Sequence, residues 1–118
     1  MTHLKTEITS TLKKEINPFD IIYKLHPTPA VAGSPKNITI KEIHNIEQHN
    51  RGWYSGPIGW IDLEYNAEFK VAIRSGISNQ GKIHIYAGCG ITEDSDPQTE
   101  YNESEMKFNS ILSVLNNE

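Results

Sequence analysis

The sequence predicts an α+β fold, antiparallel strands with flanking helices, and three observations carry the prediction. Between residues 52 and 87, short stretches rich in Trp, Tyr, Ile and Val are separated by turn residues at Asn66 and Ser78-Asn79-Gln80-Gly81, the pattern of an antiparallel meander. Segments with apolar residues at helical spacing lie on both sides of that region. Between them runs His26-Pro27-Thr28-Pro29-Ala30-Val31-Ala32-Gly33-Ser34-Pro35, whose three prolines and one glycine predict a rigid loop with no regular element.

A chain of 118 residues, 36% hydrophobic and 22% charged, has the length of one domain and an ordinary globular composition. The formal net charge of −4 and the scattered lysines do not support a nucleic-acid footprint, and no nucleic-acid partner is expected. Apolar runs of only a few residues exclude a spanning helix, and Met1-Thr2-His3-Leu4-Lys5 does not open a signal peptide. A cytoplasmic protein with no membrane partner is therefore expected. The single cysteine, Cys89, excludes an internal disulfide; between two glycines it could be a reactive thiol, but no partner for it is evident in the sequence and it reads as a small neutral filler.

In chain order, His3 to Leu12 alternates loosely and predicts a strand with one buried face. Asn17 can cap a helix from Pro18 through Leu25, with the proline at the first helical position, and Pro27 stops it. After the proline loop, Ser34 or Pro35 opens a second helix carrying Ile38, Ile40, Ile43 and Ile46, with His44, His49 and Asn50 near its end. Three strands follow, Gly52 to Leu63, Glu68 to Ser75 and Lys82 to Ala87. A last helix starts near Pro97, where Asp96 supplies the N-cap.

The chemistry concentrates in the stretch from Gly88 to Lys107. At about 100° per residue, Glu100, Glu103 and Lys107 share one narrow stripe of the last helix, beside an apolar face of Tyr101, Phe108, Ile111, Leu112 and Leu115. Two carboxylates three residues apart are hard oxygen ligands suited to Mg²⁺, and Lys107 one turn on can meet an anion. Such a stripe is ordinarily a solvated face. The preceding Gly88-Cys89-Gly90 points the other way, because glycines at a strand end let a ligand approach the backbone and leave N–H groups for an anion; a tight turn or bulge is the alternative use of the same glycines. No HExxH motif or Cys/His pair of ligand spacing occurs, and no serine sits in a nucleophile elbow.

Five strings in order, LHPTPAVAGSPK (25–36), RGWYSGPIGW (51–60), VAIRSG (71–76), YAGCGI (86–91) and SDPQTEYNESEMK (95–107), resemble the chorismate-binding enzymes. That group comprises isochorismate, anthranilate, aminodeoxychorismate and salicylate synthases. HPTPA resembles the isochorismate synthase version; the ammonia-using relatives resemble PAGTVSGAPK here, and the salicylate relatives carry threonine in place of Ala30. The resemblance implies the C-terminal part of an anthranilate synthase component I-like α+β fold, with residues 1–118 as a partial domain.

It also implies roles. Glu103 matches a magnesium-ligand glutamate and Glu100 the acidic residue beside it. Arg74 and Lys107 match a cationic clamp on the substrate's carboxylates, Tyr54 a tyrosine lining the same pocket, and Gly88 and Gly90 glycines whose backbone approaches a carboxylate. Ala30 matches the position, next to the reacting ring, that separates members by chemistry. Cys89 departs from the usual alanine and Asn50 from the usual aspartate before Arg-Gly. The implied reaction converts chorismate to isochorismate by adding water at one ring carbon as a hydroxyl leaves another, which asks for a general base and a general acid. The family's base lysine, acid glutamate and another magnesium glutamate lie upstream of anything matching here, so no residue of this chain is assigned to those tasks. The resemblance thus implies a missing N-terminal portion or self-association as partner. Trp53, Ile58, Trp60 and Phe69 are the residues expected on the face so exposed.

Overall fold

The computed structural model describes residues 6–12 and 16–116. Within them the chain forms α1 (Pro18–Leu25), α2 (Pro29–Ala32), α3 (Lys36–Glu47), β1 (Pro57–Ile61), β2 (Ala67–Val71), β3 (Ser75–Asn79), β4 (Lys82–Tyr86) and α4 (Pro97–Leu115). The architecture is α+β with antiparallel strand pairs.

Helix starts follow the capping residues. Asn17 Oδ1 accepts the Phe19 N–H at 2.9 Å, and Asp96 Oδ1 accepts the Thr99 N–H at 2.9 Å and its hydroxyl at 2.7 Å. Each cap satisfies an amide that the helix itself leaves unpaired, and a proline in the first turn follows each. At α3 the Pro35 carbonyl accepts the Thr39 N–H at 3.1 Å and its hydroxyl at 3.0 Å, and Gln48 ends the helix in the left-handed region at φ 52°.

Three expectations are corrected. Residues 6–12 form no strand: they are exposed and have no pairing partner among the described residues, and alternation cannot sustain a strand without a neighbour to bond. The rest of that expected strand, residues 3–5, lies outside the described residues. The proline loop contains one helical turn, α2, because Pro29 falls at a first helical position, where the missing N–H costs nothing. The expected three-stranded meander is instead two separate hairpins, β1–β2 and β3–β4.

That last change has a local cause. The Ile73 N–H bonds back to the Val71 carbonyl at 2.8 Å and Arg74 adopts φ 47°, so the stretch expected as one strand breaks into β2 before the corner and β3 after it. Gly59 faces Phe69 in the first hairpin and Ile77 faces His84 in the second. The first turn is held by Asp62, whose Oδ1 accepts the N–H groups of Glu64 (3.0 Å) and Asn66 (2.8 Å). In the second, Gln80 and Gly81 at φ 50° and 73° give the handedness that matches twisted strands.

Contacts between elements run through α2 against α3 and α4 against β4. Little is enclosed: among the described residues only Pro18, Ala32 and Ser55 are buried, while Trp53 is 78% and Trp60 54% exposed. Ile58 is also exposed and Phe69 half-buried. The accessible surface is 10477 Å², against about 6,500 Å² for a compact monomer of this mass. The radius of gyration is 16.8 Å, against about 13.5 Å for a compact domain of this length. The chain thus displays the apolar area that a domain normally encloses.

Candidate active site

Where α2, the turn before β1, the β2–β3 corner, the glycines after β4 and α4 meet, they enclose a cavity of about 190 Å³. Its lining includes Ala30, Tyr54, Arg74, Gly88, Gly90 and Lys107, joined by Val31, Arg51, Ser55, Ile73 and Cys89. Residues spread over 78 positions of sequence therefore share one wall, and each is there for a local reason.

Ala30 lies in the single turn of α2. The Tyr54 ring stacks on Tyr86 at 5.4 Å between centroids and 17° between planes. Burial pushes the Tyr54 phenol above its ordinary pKa, and the Arg51 guanidinium, 5.7 Å from the ring centroid, pulls the other way. The hydroxyl of Tyr54 rests against Gly88: a β-carbon there would stand 2.9 Å from Oη, which is why this strand end takes glycine. Around Gly90 a β-carbon would meet nothing within 4 Å, so its backbone faces open space.

The two expected clamp cations differ in their engagement. Arg74 is exposed at the corner and makes no hydrogen bond or ion pair with the described residues. Lys107, only 14% exposed at its side chain, donates to the Gly88 carbonyl at 2.8 Å and to Glu103 Oε1 at 2.6 Å. Glu103 and Lys107 are spaced i, i+4 with the acid N-terminal, the favourable order on a helix. The stripe is consequently half-covered, whereas Tyr101 on the expected apolar face is exposed.

Glu100 and Glu103 do not line the cavity itself; they sit behind Lys107 and Cys89. Glu100 Oε1 accepts the Ser95 hydroxyl at 2.8 Å, and its backbone carbonyl faces Cys89 Sγ at 3.4 Å. Burial, reinforced by that contact, pushes the Cys89 thiol up, keeping it protonated and neutral. As a donor set for Mg²⁺ the two glutamates fit in kind, being hard carboxylates one turn apart, and they supply at most two ligands. No group of three or more His, Cys, Asp or Glu poised for a metal occurs among the described residues.

Sequence reasoning left Arg51 without a role, and the structure makes it a hub. Its Nε donates to Glu47 Oε2 at 2.7 Å and its Nη2 to Glu47 Oε1; Nη1 reaches the Val31 carbonyl at 2.8 Å and Ser55 Oγ at 3.4 Å. Ser55 is the buried polar residue among those described. The pair lowers the Glu47 pKa and raises that of Arg51, in each case chiefly through the hydrogen bonds between them. A glutamate four residues before an arginine at a helix end was the available signal. Behind this hub, a larger hollow of about 360 Å³ shares Arg51, Tyr54 and Ser55 as its wall and is lined also by His26, His44 and His49.

Neutral glycine backbone, a guanidinium unpaired among the described residues and a tethered ammonium line one cavity on an α+β scaffold, with a carboxylate pair behind it. Residues 1–116 match the family described as chorismate binding enzyme, and the chain belongs to that family. Among its relatives, the isochorismate synthase MenF of Bacillus subtilis is 48% identical over 116 residues, 98% of this chain and 25% of that protein. The salicylate biosynthesis isochorismate synthase of Pseudomonas aeruginosa is 39% identical over 113 residues, 96% of this chain and 24% of its own length. Anthranilate synthase component 1 of Saccharolobus solfataricus is 35% identical over 113 residues, 96% of this chain and 27% of its own length. The chain thus spans about a quarter of the length of the curated relatives it matches.

Proposed function

We propose that this chain supplies the substrate-carboxylate and Mg²⁺-binding portion of an isochorismate synthase, which converts chorismate to isochorismate. The observation that carries the reading is the single cavity shared by Ala30, Tyr54, Arg74, Gly88, Gly90 and Lys107. Chorismate carries two carboxylates, so it asks for separate cations and backbone donors. Arg74 offers a guanidinium that no described residue consumes, Lys107 an ammonium in a largely dry setting, and the Gly88 to Gly90 backbone close approach. Glu103 and Glu100 would hold the magnesium ion, which would offset carboxylate charge there. Ala30 leaves room beside the ring for the incoming water.

The general base and general acid are not assigned to this chain. Lys107 is engaged by Glu103 and the Gly88 carbonyl, and burial keeps the Cys89 thiol protonated. The cavity, at about 190 Å³, is also smaller than the roughly 300–1,000 Å³ of typical small-molecule sites. Both points support a partner portion that supplies proton-transfer groups and the remaining wall, seated on the exposed apolar surface around Trp53 and Trp60. Mixing the chain with a complementing portion of an isochorismate synthase and measuring isochorismate formation in the presence of Mg²⁺ tests this. A folded mixture that forms none refutes the enzymatic reading.

That no described cavity residue is assigned as a base also favours a second reading, a binding module without turnover. Calorimetry on the chain alone separates the two: chorismate binding without turnover in any complemented mixture supports the module.

A further inference from the structure

We propose that Arg51 is a positioning residue of this cavity: its guanidinium fastens α2, the turn before β1 and the end of α3 together, and so sets where Tyr54 and Ala30 stand against the substrate. The inference rests on the chorismate-site reading above and adds to it a residue that touches no substrate.

The hydrogen bonds make the case. Arg51 spends Nε and Nη2 on the Glu47 carboxylate and Nη1 on the Val31 carbonyl and the Ser55 hydroxyl. Little donor capacity is left for a ligand, and Glu47 neutralises the charge. Arg51 therefore differs in kind from Arg74, which also lines the cavity and has no partner among the described residues. What Arg51 grips is the backbone next to Ala30 and the hydroxyl next to Tyr54.

From Ser55 the connection continues into the sheet. The Ser55 N–H donates to the Ala72 carbonyl at 2.9 Å and the Ala72 N–H to the Gly56 carbonyl at 2.8 Å, so the β1–β2 ladder runs on to the corner that carries Arg74. On the other side the guanidinium lies 5.7 Å from the Tyr54 ring centroid, Tyr54 stacks on Tyr86, and its hydroxyl abuts Gly88, whose carbonyl holds Lys107. One planar, forked cation thus spans contacts that lead to both clamp residues. Lysine is not a substitute, since a single ammonium cannot satisfy a carboxylate bidentately and a carbonyl on the opposite edge at once.

The test uses the chorismate-converting mixture described above. Wild type must first convert chorismate, and if it does not, the functional reading fails before this one is reached. With Arg51→Ala the expected result is a fall in kcat of roughly tenfold or more, because sub-ångström misplacement of positioning groups is costly, together with partial recovery on adding millimolar guanidinium but not ammonium. The Tyr54 ring signals in a carbon-13 tyrosine spectrum should shift in the variant and return with guanidinium. Arg51→Lys is measured alongside and should remain impaired. Wild-type kcat and KM in either folded variant, or loss of kcat that guanidinium leaves unchanged with Tyr54 unmoved, overturns the proposal. So does failure of both variants to fold, which would make Arg51 a folding residue only.

Discussion

Replacing Lys107 by methionine separates its structural role from the substrate-binding role proposed for it. The ammonium lies 2.6 Å from Glu103 and 2.8 Å from the Gly88 carbonyl, with its side chain 14% and that of Glu103 29% exposed. Removing it leaves a half-covered carboxylate without its cation. An unpaired buried polar group costs about 1–3 kcal/mol, and water at Glu103 places this case near about 1 kcal/mol, a melting shift of about 4 °C for a chain of this size. The lost charge-assisted bond to a substrate carboxylate is worth about 1.5–3 kcal/mol, or roughly 10- to 150-fold in affinity. Adding Glu103→Gln removes the orphaned charge, so the double variant should regain most of the melting temperature and none of the substrate affinity. Scanning calorimetry and chorismate titration of the complemented assembly read the two quantities separately. Recovery of affinity in step with stability, or a Lys107→Met variant that binds within about twofold of wild type, a change too small for one charged hydrogen bond, would refute the reasoning.

Four other outcomes follow from local contacts. Gly59→Ala puts a β-carbon 1.9 Å from the Glu68 carbonyl oxygen and 2.8 Å from Phe69 Cα; backbone cannot yield cheaply, so the first hairpin should lose its pairing at a cost of about 3 kcal/mol, seen as loss of cross-strand contacts between residues 59 and 69 by NMR. Gly88→Ala should push the Tyr54 ring off Tyr86, forfeiting about 0.5–1.5 kcal/mol of stacking and changing the near-ultraviolet circular dichroism. Gly90→Ala, which meets nothing, should leave stability within about 0.5 kcal/mol and lower affinity only if the ligand approaches that backbone. Finally, Glu47 is held below its ordinary carboxylate range by Arg51. The unfolded chain therefore takes up that proton first as the pH falls, and stability should drop from about pH 4.3 downward. Glu47→Gln should flatten that acid limb in a pH series of melting temperatures, and an unchanged limb would exclude the pair as its source.

How much could be read from residue order differs by element. Helix starts at Pro18 and Pro97 were legible because capping is a local, three-residue affair, and Asn17 and Asp96 bond where their side chains must. The strand boundaries around Arg74 were not, since Val71 to Ser75 alternates acceptably for one strand and only the backbone turn at Ile73 breaks it. Residues 6–12 show the same limit from the other side: an alternating pattern states a preference for pairing, and only a neighbour can fulfil it. Short-range chemistry survives in the sequence; long-range hydrogen bonding does not.

The same distinction governs the two arginines of the cavity. Both lie in strings that resemble one family and both carry a full charge, and the glutamate four residues before Arg51 is the sequence sign of which one the protein holds. Glu47 decides it, because a helix turn places its carboxylate where the Arg51 fork closes on it, while the left-handed corner at residue 74 turns Arg74 away from every acid among the described residues. Binding of a dianion, as proposed for this cavity, needs such an asymmetry. An unpaired cation supplies attraction only if another, already neutralised, keeps the walls in place, for two unpaired guanidinium groups on one cavity of about 190 Å³ would repel each other before any substrate arrived. Exchanging the acid rather than the arginine exposes this directly: with Glu47→Gln the Arg51 charge is no longer offset, so the cavity should bind simple anions such as sulfate more tightly while chorismate, which needs the walls in register, binds no better.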